Sequence, residues 1–534
     1  MGCDSQQSDM QVDVIISGCG PVGALTGNLL GLMGVKTLLL ERDTAPHGEP
    51  RAFSCDDEGL RIYQATGLWD VLRKDMRETR FAEYVGGSGK RFAEIHTGET
   101  DFGFGHTPLW FFHQPLLERE LRNGLKRFPH VELRQGMAVE RVEQDASGVT
   151  VRCRDAMTGV EHSVRARYLL ACDGARSAVR KALGIQMSGK AYGEPWLAVS
   201  GSIKGEAPEI CRFVCDPHRP AFVATGAVNQ LRWEFMMLPG ETREELERPE
   251  TIAKLIAPYI DPSRVHIERA QVYTFHCLNA ARWREGNVFL LGDAAHTMPP
   301  FMGQGLVSGL RDASNIAWKL KRVLHGQAPE SLLNTYEQER RPHVAAVQQL
   351  CVKVGHLFLA RNRWVAAARD ALMRTVQRIP RVRRFIEGFE FKQPPLHEQG
   401  YYFSGQNDGD KKATAEGTYF PQPRVRLESG EEVLLDDTLG NDFTVLCRHD
   451  ASAAELDSAR ALAESLGGRL LTFRPTEDDA QAKAEAPAVV DVTGKLTEWF
   501  SRYTADVVVL RPDRFVFGAV KAQRLPELKE ALGV

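Results

Sequence analysis

No stretch of the sequence is apolar for the roughly 20 residues a helix needs to cross a bilayer. The polar start, Met1 to Met10, also lacks the charged, apolar and small-residue order of a secretory leader, so a cytoplasmic protein with no membrane span is the expectation. Charge of either sign is not in excess. The 67 Lys and Arg stand against 70 Asp and Glu, a net charge of -3, which leaves no basic field to attract nucleic acid or an anionic surface. Cysteine is sparse, ten in 534 residues, and none forms a Cys-x-x-Cys pair. That argues against a disulfide framework and thiol redox chemistry. The nearest pair, Cys211 and Cys215, has no companion ligands and reads as ordinary thiols rather than zinc. What is present is 43% hydrophobic and 26% charged residues, the mix of a globular chain that can bury a core, at a length that suggests two or three domains.

Val12 to Ser17 is a short β-branched run, followed by Gly18-Cys-Gly-Pro-Val-Gly23 and an apolar helical pattern from Ala24 to Met33. A second strand, Val35 to Leu40, ends on Glu41. Strand, tight turn, helix, strand is the context in which Gly-x-Gly-x-x-Gly reads as a dinucleotide site. Gly18 permits the turn, Gly20 lets the backbone reach a pyrophosphate, Pro21 opens the helix, and Gly23 lets it pack on the strand. Glu41, with Arg42 beside it, would accept ribose hydroxyls. The competing reading is a βα turn without ligand, and on this motif alone NAD and FAD are equally suited.

Further on, Gly292-Asp-Ala-Ala-His-Thr-Met-Pro-Pro300 precedes Gly303-Gln-Gly305 and a helical pattern. This places a carboxylate at a strand end and a glycine loop at a second helix N-terminus. Asp293 suits ribityl hydroxyls, and the backbone N–H groups from Gly303 to Leu306 suit the negative charge of a reduced flavin. A Gly/Pro-rich surface loop is the bland alternative. A third segment, Cys172-Asp-Gly-Ala-Arg-Ser-Ala-Val-Arg180, follows the apolar strand Tyr168 to Cys172.

Between these motifs, Val131 to Arg134, Ala138 to Gln144 and Val149 to Arg154 predict a meander, and alternating runs such as Leu231 to Leu238 predict an antiparallel sheet over Trp196 to Val288. Helices are expected at Pro115 to Phe128, Leu306 to Leu324, Leu332 to Leu359 and Arg363 to Phe389. After a Pro/Gly/Asp/Asn-rich break, Gln393 to Lys412, a compact α/β module follows, with Asp479 to Ala488 as an Ala-rich surface loop.

In order and in spacing, Gly18 to Gly23, Asp173 to Arg180, and Gly292-Asp293 with Pro299 and the Gly303 loop resemble the class A flavoprotein monooxygenases, the para-hydroxybenzoate hydroxylase family, over Val12 to Phe389. Within it, Cys215 to Pro220, Phe235 to Glu241, Tyr336 to Arg341 and Val509 to Phe515 are similar to the 3-(3-hydroxyphenyl)propanoate hydroxylases. The resemblance implies an α/β fold in which a Rossmann-like FAD domain (10–80, 105–190 and 280–392) is interleaved with an antiparallel-sheet substrate domain (81–104 and 191–279). A thioredoxin-like domain (413–534) follows.

It also implies FAD as cofactor, NADH or NADPH and O2 as co-substrates, and a small phenol hydroxylated ortho to its hydroxyl through a flavin C4a-hydroperoxide, as in aromatic catabolism. Arg51, within Pro50-Arg51-Ala52, would lie near the flavin pyrophosphate and nicotinamide route. Gln114 would contact flavin, and Asp173, Arg176 and Arg180 would serve FAD and NAD(P)H, although each arginine also reads as a surface ion pair. Pro299 and Pro300 would seal the reacting centre against water. His276, His113 and Tyr273 are candidates for activating the phenol. Trp196, Phe222, Phe235, Met237 and Tyr273 are candidate pocket lining, and Arg212, Arg219 or Arg232 would meet a substrate carboxylate.

Two departures stand out. Val307 occupies a position where many relatives carry Asn, leaving its backbone N–H for the flavin, and the C-terminal module has Cys447 without a second cysteine. A dithiol cycle needs two thiols, so the module reads as structural, with a homodimer contact as one role. A flavin halogenase would carry Trp-x-Trp, which none of the eight tryptophans forms. A hydroxylase of a larger polycyclic or heteroaromatic phenol, and a flavin-binding protein without turnover, remain open.

Overall fold

The β-branched run near the start of the chain forms the strand Met10–Ser17, with Val14, Ile15 and Ile16 fully buried. The computed structural model describes residues 10–46, 48, 51–404, 414–475 and 487–533. Pro50, residues 405–412 of the Gln393 to Lys412 break and most of the Ala-rich stretch lie outside the described residues. Met10–Ser17 pairs in parallel with Thr37–Glu41 and Glu161–Ala171, and parallel order continues to Val131–Gln135 on one side and Val288–Leu290 on the other. A parallel strand covered on both faces is apolar throughout rather than alternating, and Thr37–Glu41 is buried at every position. The register sets Leu40, Ser17, Ala171 and Leu290 in one row. Four segments far apart in sequence therefore leave the sheet at one edge, across about 14 Å, three interstrand spacings.

The expected meander is corrected by this pairing. Met137–Asp145 and Gly148–Asp155 run antiparallel to each other and onto Glu161–Ala171, but Val131–Gln135 joins Thr37–Glu41 in parallel. The helix Gln114–Leu125 feeds that strand, and a strand reached through a crossover helix runs parallel to its neighbour. A second correction concerns Arg363 to Phe389, which is two helices, Arg363–Val376 and Pro380–Glu387. Pro380 disfavours helical geometry at Ile379, which is extended at φ -82 and ψ 115. The structure adds a helix outside the sequence expectations, Asp57–Ala65, started by Asp56 accepting from Gly59 N at 3.0 Å.

A second eight-stranded sheet runs in the order His296–Thr297, Val265–Ala280, Met187–Ile203, Gln230–Met236, Ala221–Thr225, Cys211–Cys215, Ala82–Gly86, Arg91–Ile95. It is antiparallel except where Cys211–Cys215 meets Ala82–Gly86. Its two faces differ. Leu197, Val199, Trp233, Phe235 and Val272 point into an apolar core shared with Ile252 and Ile256 of the helix Pro249–Ile256, and the residues alternating with them point the other way.

Two compact units emerge. One holds the described residues up to Thr100, with Thr107–Ala313 and Val344–Gln393; the other holds Asp101–His106, Ser314–His343 and the described residues from Pro394 on. The cut falls inside the helices Gln304–Leu324 and Thr335–Phe358. Within the second unit, Thr444–Arg448, Arg469–Arg474 and Ala488–Asp491 are parallel, and Val507–Leu510 and Val516–Val520 extend the sheet antiparallel. A buried ion network explains why 314–343 belongs here. Arg511 bonds both oxygens of Glu339 at 2.8 Å and also Asp513, while Lys319 Nζ lies 2.7 Å from Glu339.

Cys447 is buried on its strand, and burial pushes its thiol up to about 12. Thiolate chemistry is therefore suppressed at neutral pH. Cys447→Ser is expected to leave turnover within about twofold of the native rate, as steady-state oxidation of the reduced nicotinamide would show.

Candidate active site

The edge where the parallel strands end carries all three motifs, because each motif immediately follows a strand in the aligned row. Ligands of open α/β sheets bind at the carboxyl ends of the strands for this reason. A cavity of about 710 Å³ opens here, within the first unit. Gly18, Gly20, Pro21, Glu41, Arg42, Arg51, Gln114, Asp173 and Arg176 line it, as do Gly292, Asp293, Pro300, Gly303, Gly305 and Leu306. Gly23 does not. Its Cα packs on the Gly18 carbonyl so closely that any Cβ would overlap it, which brings the helix onto the strand.

The helix Pro21–Leu32 starts at Gly20 with no side chain capping it. Its first N–H groups are thus left for a ligand, at the end of the helix that favours anions. Glu41 Oε2 accepts from Cys19 N at 2.7 Å, and Arg122 donates to Cys19 O at 3.0 Å, so the turn is held from outside. Gln114 braces the segment that carries Arg51. Its Oε1 accepts from Arg51 N (2.7 Å) and Ala52 N (2.6 Å), while its Nε2 donates to Glu118 at 2.6 Å.

Asp173 Oδ2 accepts from Val179 N at 3.1 Å, but Oδ1 is buried with no protein partner. Burial raises this carboxyl above the usual range, opposed by bonds from Ser177 and the Val179 backbone. Arg180 does not line the cavity and joins two motifs, donating to Ala294 O and Ala175 O at 2.9 Å. Asp293 faces the cavity. Enclosure raises its carboxyl, opposed by the charges of His296 and Arg51. Behind it, Asp312 Oδ2 accepts from Gly292 N at 3.0 Å and lies 2.7 Å from His296 Nε2, fixing the turn that carries Asp293.

Gly303, at φ 64, sits in left-handed geometry between the short 3-10 turn Pro300–Met302 and the helix Gln304–Leu324, and a side chain there would strike Ser54. Pro299, expected to seal the centre with Pro300, is buried and does not line the cavity. Val307 is fully buried, does not line the cavity and approaches Gly59. An uncapped helix start, an unpartnered carboxylate oxygen and a glycine loop at a second helix start fit the pyrophosphate, sugar and ring of FAD.

The remaining lining comes largely from the second sheet. Trp196, Ala198, Arg232, Glu234, Arg269, Tyr273 and Phe275 border the cavity. Their register explains why. Ser200 pairs with both Arg232 and Arg269, Ala198 with Glu234, and Trp196 with Tyr273, so alternate residues of three neighbouring strands share one face. The same alternation corrects other expectations. Phe235 belongs to the opposite core, Met237 packs against that core, and His276 is exposed, out of phase with Tyr273 and Phe275.

Phe222 lines the cavity. His113 does not, and lies 3.9 Å from Glu268. All three arginines named for a carboxylate are ion-paired, Arg212 with Glu83, Arg219 with Glu241 and Arg232 with Glu234 at 3.0 Å, and of the three Arg232 lines the cavity. Sequence reasoning missed Glu234, Arg269, Phe213, Phe301, Phe389 and Phe391. Strand phase in Leu231 to Leu238 is the signal that could have found Glu234; nothing local marks the others.

No helix among the described residues is long and apolar enough to cross a membrane. Residues 11–350 match the FAD binding domain family, and residues 417–533 match the HcaD C-terminal domain. The chain is 38% identical over 533 residues to a 3-(3-hydroxy-phenyl)propionate/3-hydroxycinnamic acid hydroxylase of Mycobacterium sp. (strain JLS), covering 99% of this chain and 92% of that one. It is 37% identical over 514 residues to the protein of the same name from Burkholderia cenocepacia (strain HI2424), covering 95% and 93%. Among solved structures, the flavin-dependent monooxygenase PieE in complex with FAD and substrate superposes with a TM-score of 0.81 at 22% identity, over 98% of this chain and 99% of PieE, a likeness of fold. The strand-end cavity, the family match and the full-length relatives lead to one conclusion: the chain belongs to the FAD binding domain family of class A flavoprotein monooxygenases and is an FAD-dependent aromatic hydroxylase.

Proposed function

We propose that the enzyme hydroxylates a single-ring phenolic acid, 3-(3-hydroxyphenyl)propanoate or a close analogue, ortho to its hydroxyl, with NADH or NADPH as electron donor and O2 as oxygen source. One observation carries this reading: a single cavity joins the strand-end motifs to a sheet face bearing aromatic rings and two guanidinium groups. The names of the two relatives above support the acid, since both are hydroxylases of hydroxyphenyl acids by name.

In this reading 10–80, 105–190 and 280–392 hold FAD, 81–104 and 191–279 supply the substrate face, and 413–534 is a thioredoxin-like module without a redox pair. Bound FAD supplies the electron transfer and oxygen activation. Gly18, Gly20 and the first turn of Pro21–Leu32 would hold its pyrophosphate, Glu41 its ribose, Asp293 its ribityl chain, and the Gly303 to Leu306 backbone its ring. Trp196, Phe275 and Phe301, packed with centroids 5.7 to 6.2 Å apart, exclude water beside Pro300. Arg269 and Arg232 attract the carboxylate. Tyr273 holds its proton, because burial and then the Glu234 charge raise its hydroxyl well above the usual value, and it bonds Glu234 and Arg232 rather than acting as a base.

The test is turnover under labelled O2 with product mass analysis. The acid is expected to emerge as a catechol carrying one labelled oxygen, with a KM about tenfold below that of neutral 3-ethylphenol. Label arriving from water, or no oxygenated product from a broad panel of phenols, would remove the assignment.

A further inference from the structure

We propose that Phe389 and Phe391 are specificity-determining walls of the substrate end, limiting it to one aromatic ring, and that Lys392 is the positioning residue that holds them. The inference rests on the reading that this cavity takes a phenolic substrate. Both rings line the cavity, with centroids 4.9 Å apart at 77°, and pack against the cluster containing Phe53, Phe111, Phe213 and Phe222. They reach it from a turn after the helix Pro380–Glu387, and Phe389 has φ 53. A residue with a Cβ occupies that region only where its surroundings impose it.

The turn is closed three residues beyond Phe389, where Lys392 N donates to Phe389 O at 2.9 Å. The buried Lys392 ammonium is enclosed by three consecutive carboxylates, Asp56 Oδ2 at 3.3 Å, Glu58 Oε1 at 3.2 Å, and Asp57 in direct contact. Arg311 holds two of the three, Asp56 at 2.7 Å and Glu58 at 2.8 Å. Asp56 itself borders the cavity, caps the helix Asp57–Ala65 and accepts from Gln304 Nε2 at 3.2 Å. The phenylalanine turn and the glycine loop at Gly303 are thereby anchored on one carboxylate. Burying so many charges is a weak source of stability compared with apolar packing, whereas fixing one geometry at a cavity wall is a use that suits it. Lys392 does not line the cavity, so its influence passes through the two rings.

The experiment compares Phe389→Ala, Phe389→Leu, Phe391→Leu, Lys392→Met and Lys392→Arg with the native enzyme. Binding of 2-naphthol and of 3-(3-hydroxyphenyl)propanoate is followed by quenching of tryptophan fluorescence, and hydroxylated product is measured against H2O2 with each compound. Phe389→Ala is expected to shift the affinity ratio toward the bicyclic phenol by about tenfold. Lys392→Met should shift it in the same direction and raise H2O2 with the small acid, and Lys392→Arg should restore the native ratio. The leucine variants keep the test available should the alanine variant fail to fold. An unchanged ratio in folded Phe389 and Phe391 variants overturns the proposal, as does Lys392→Met that loses stability without moving the ratio. If the native enzyme oxygenates no phenol, the functional reading fails separately, while the binding ratios still decide whether these rings set ring size.

Discussion

Asp293→Ala is expected to give folded protein that purifies nearly free of FAD. Among the described residues Asp293 makes no hydrogen bond to a protein group, and its carboxylate opens into the cavity between the Gly292 turn and the Gly303 loop. Removing it therefore takes no hydrogen bond from the fold, so the expected loss falls on the cofactor. Hydrogen bonds to a charged group are worth about 1.5–3 kcal/mol, so loss of the ribityl contacts should weaken FAD binding by about 10- to 150-fold. The visible spectrum of purified protein and titration of the apoprotein with FAD read this directly. Asp312→Ala is the informative contrast. It strips the partner from Gly292 N and from the buried His296, and should lower thermal stability as well as flavin content. Full flavin retention in the Asp293 variant would take that residue out of the cofactor site.

Arg511→Met is expected to destabilise the second unit by about 3–5 kcal/mol, the usual consequence of removing one member of a buried ion network. Arg511, Glu339 and Lys319 are fully buried and Asp513 nearly so; without the guanidinium, Asp513 loses both hydrogen bonds that Arg511 gives it and Glu339 loses two. Hydrogen exchange in Thr444–Arg448 and Val507–Leu510 should accelerate accordingly.

The pH dependence has a definite sign. Burial opposes ionisation of Glu339, but Arg511, Lys319 and His397 outweigh it and hold its carboxyl well below the ordinary 4.5. A depressed carboxyl contributes stability that is present above its unfolded value and lost as pH falls through the folded one. Native and variant proteins should thus differ most near neutrality and converge in strong acid. Equal exchange rates at pH 7 would show the network to be energetically idle.

The cofactor end is legible in the sequence because its chemistry is local. A glycine turn between strand and helix, an acid at the end of the next strand, and a second glycine loop before a helix each have a short-range physical meaning, and aligned parallel strands bring their ends together without further specification. Glu41 and Asp293, named from position alone, both line the cavity. The substrate end is less legible. Strand period 2 places Trp196 and Tyr273 on one face, but the sequence does not say which face is the cavity, and so Phe235, in phase with the wrong face, stands among the expectations while Glu234 does not. His276 fails by the same single-residue phase.

By itself, then, the sequence determined the glycine turn between strand and helix, the second glycine loop before a helix, the apolar strands and the absence of a second thiol beside Cys447, since each follows from residues within a few positions of one another. Only the tertiary structure decided which sheet face meets the flavin motifs, that Val131–Gln135 pairs across a crossover, and that Arg269, Phe389 and Phe391 share one cavity. Those depend on contacts between segments about ninety or more residues apart, and neither hydrophobic period nor local propensity encodes how such segments meet.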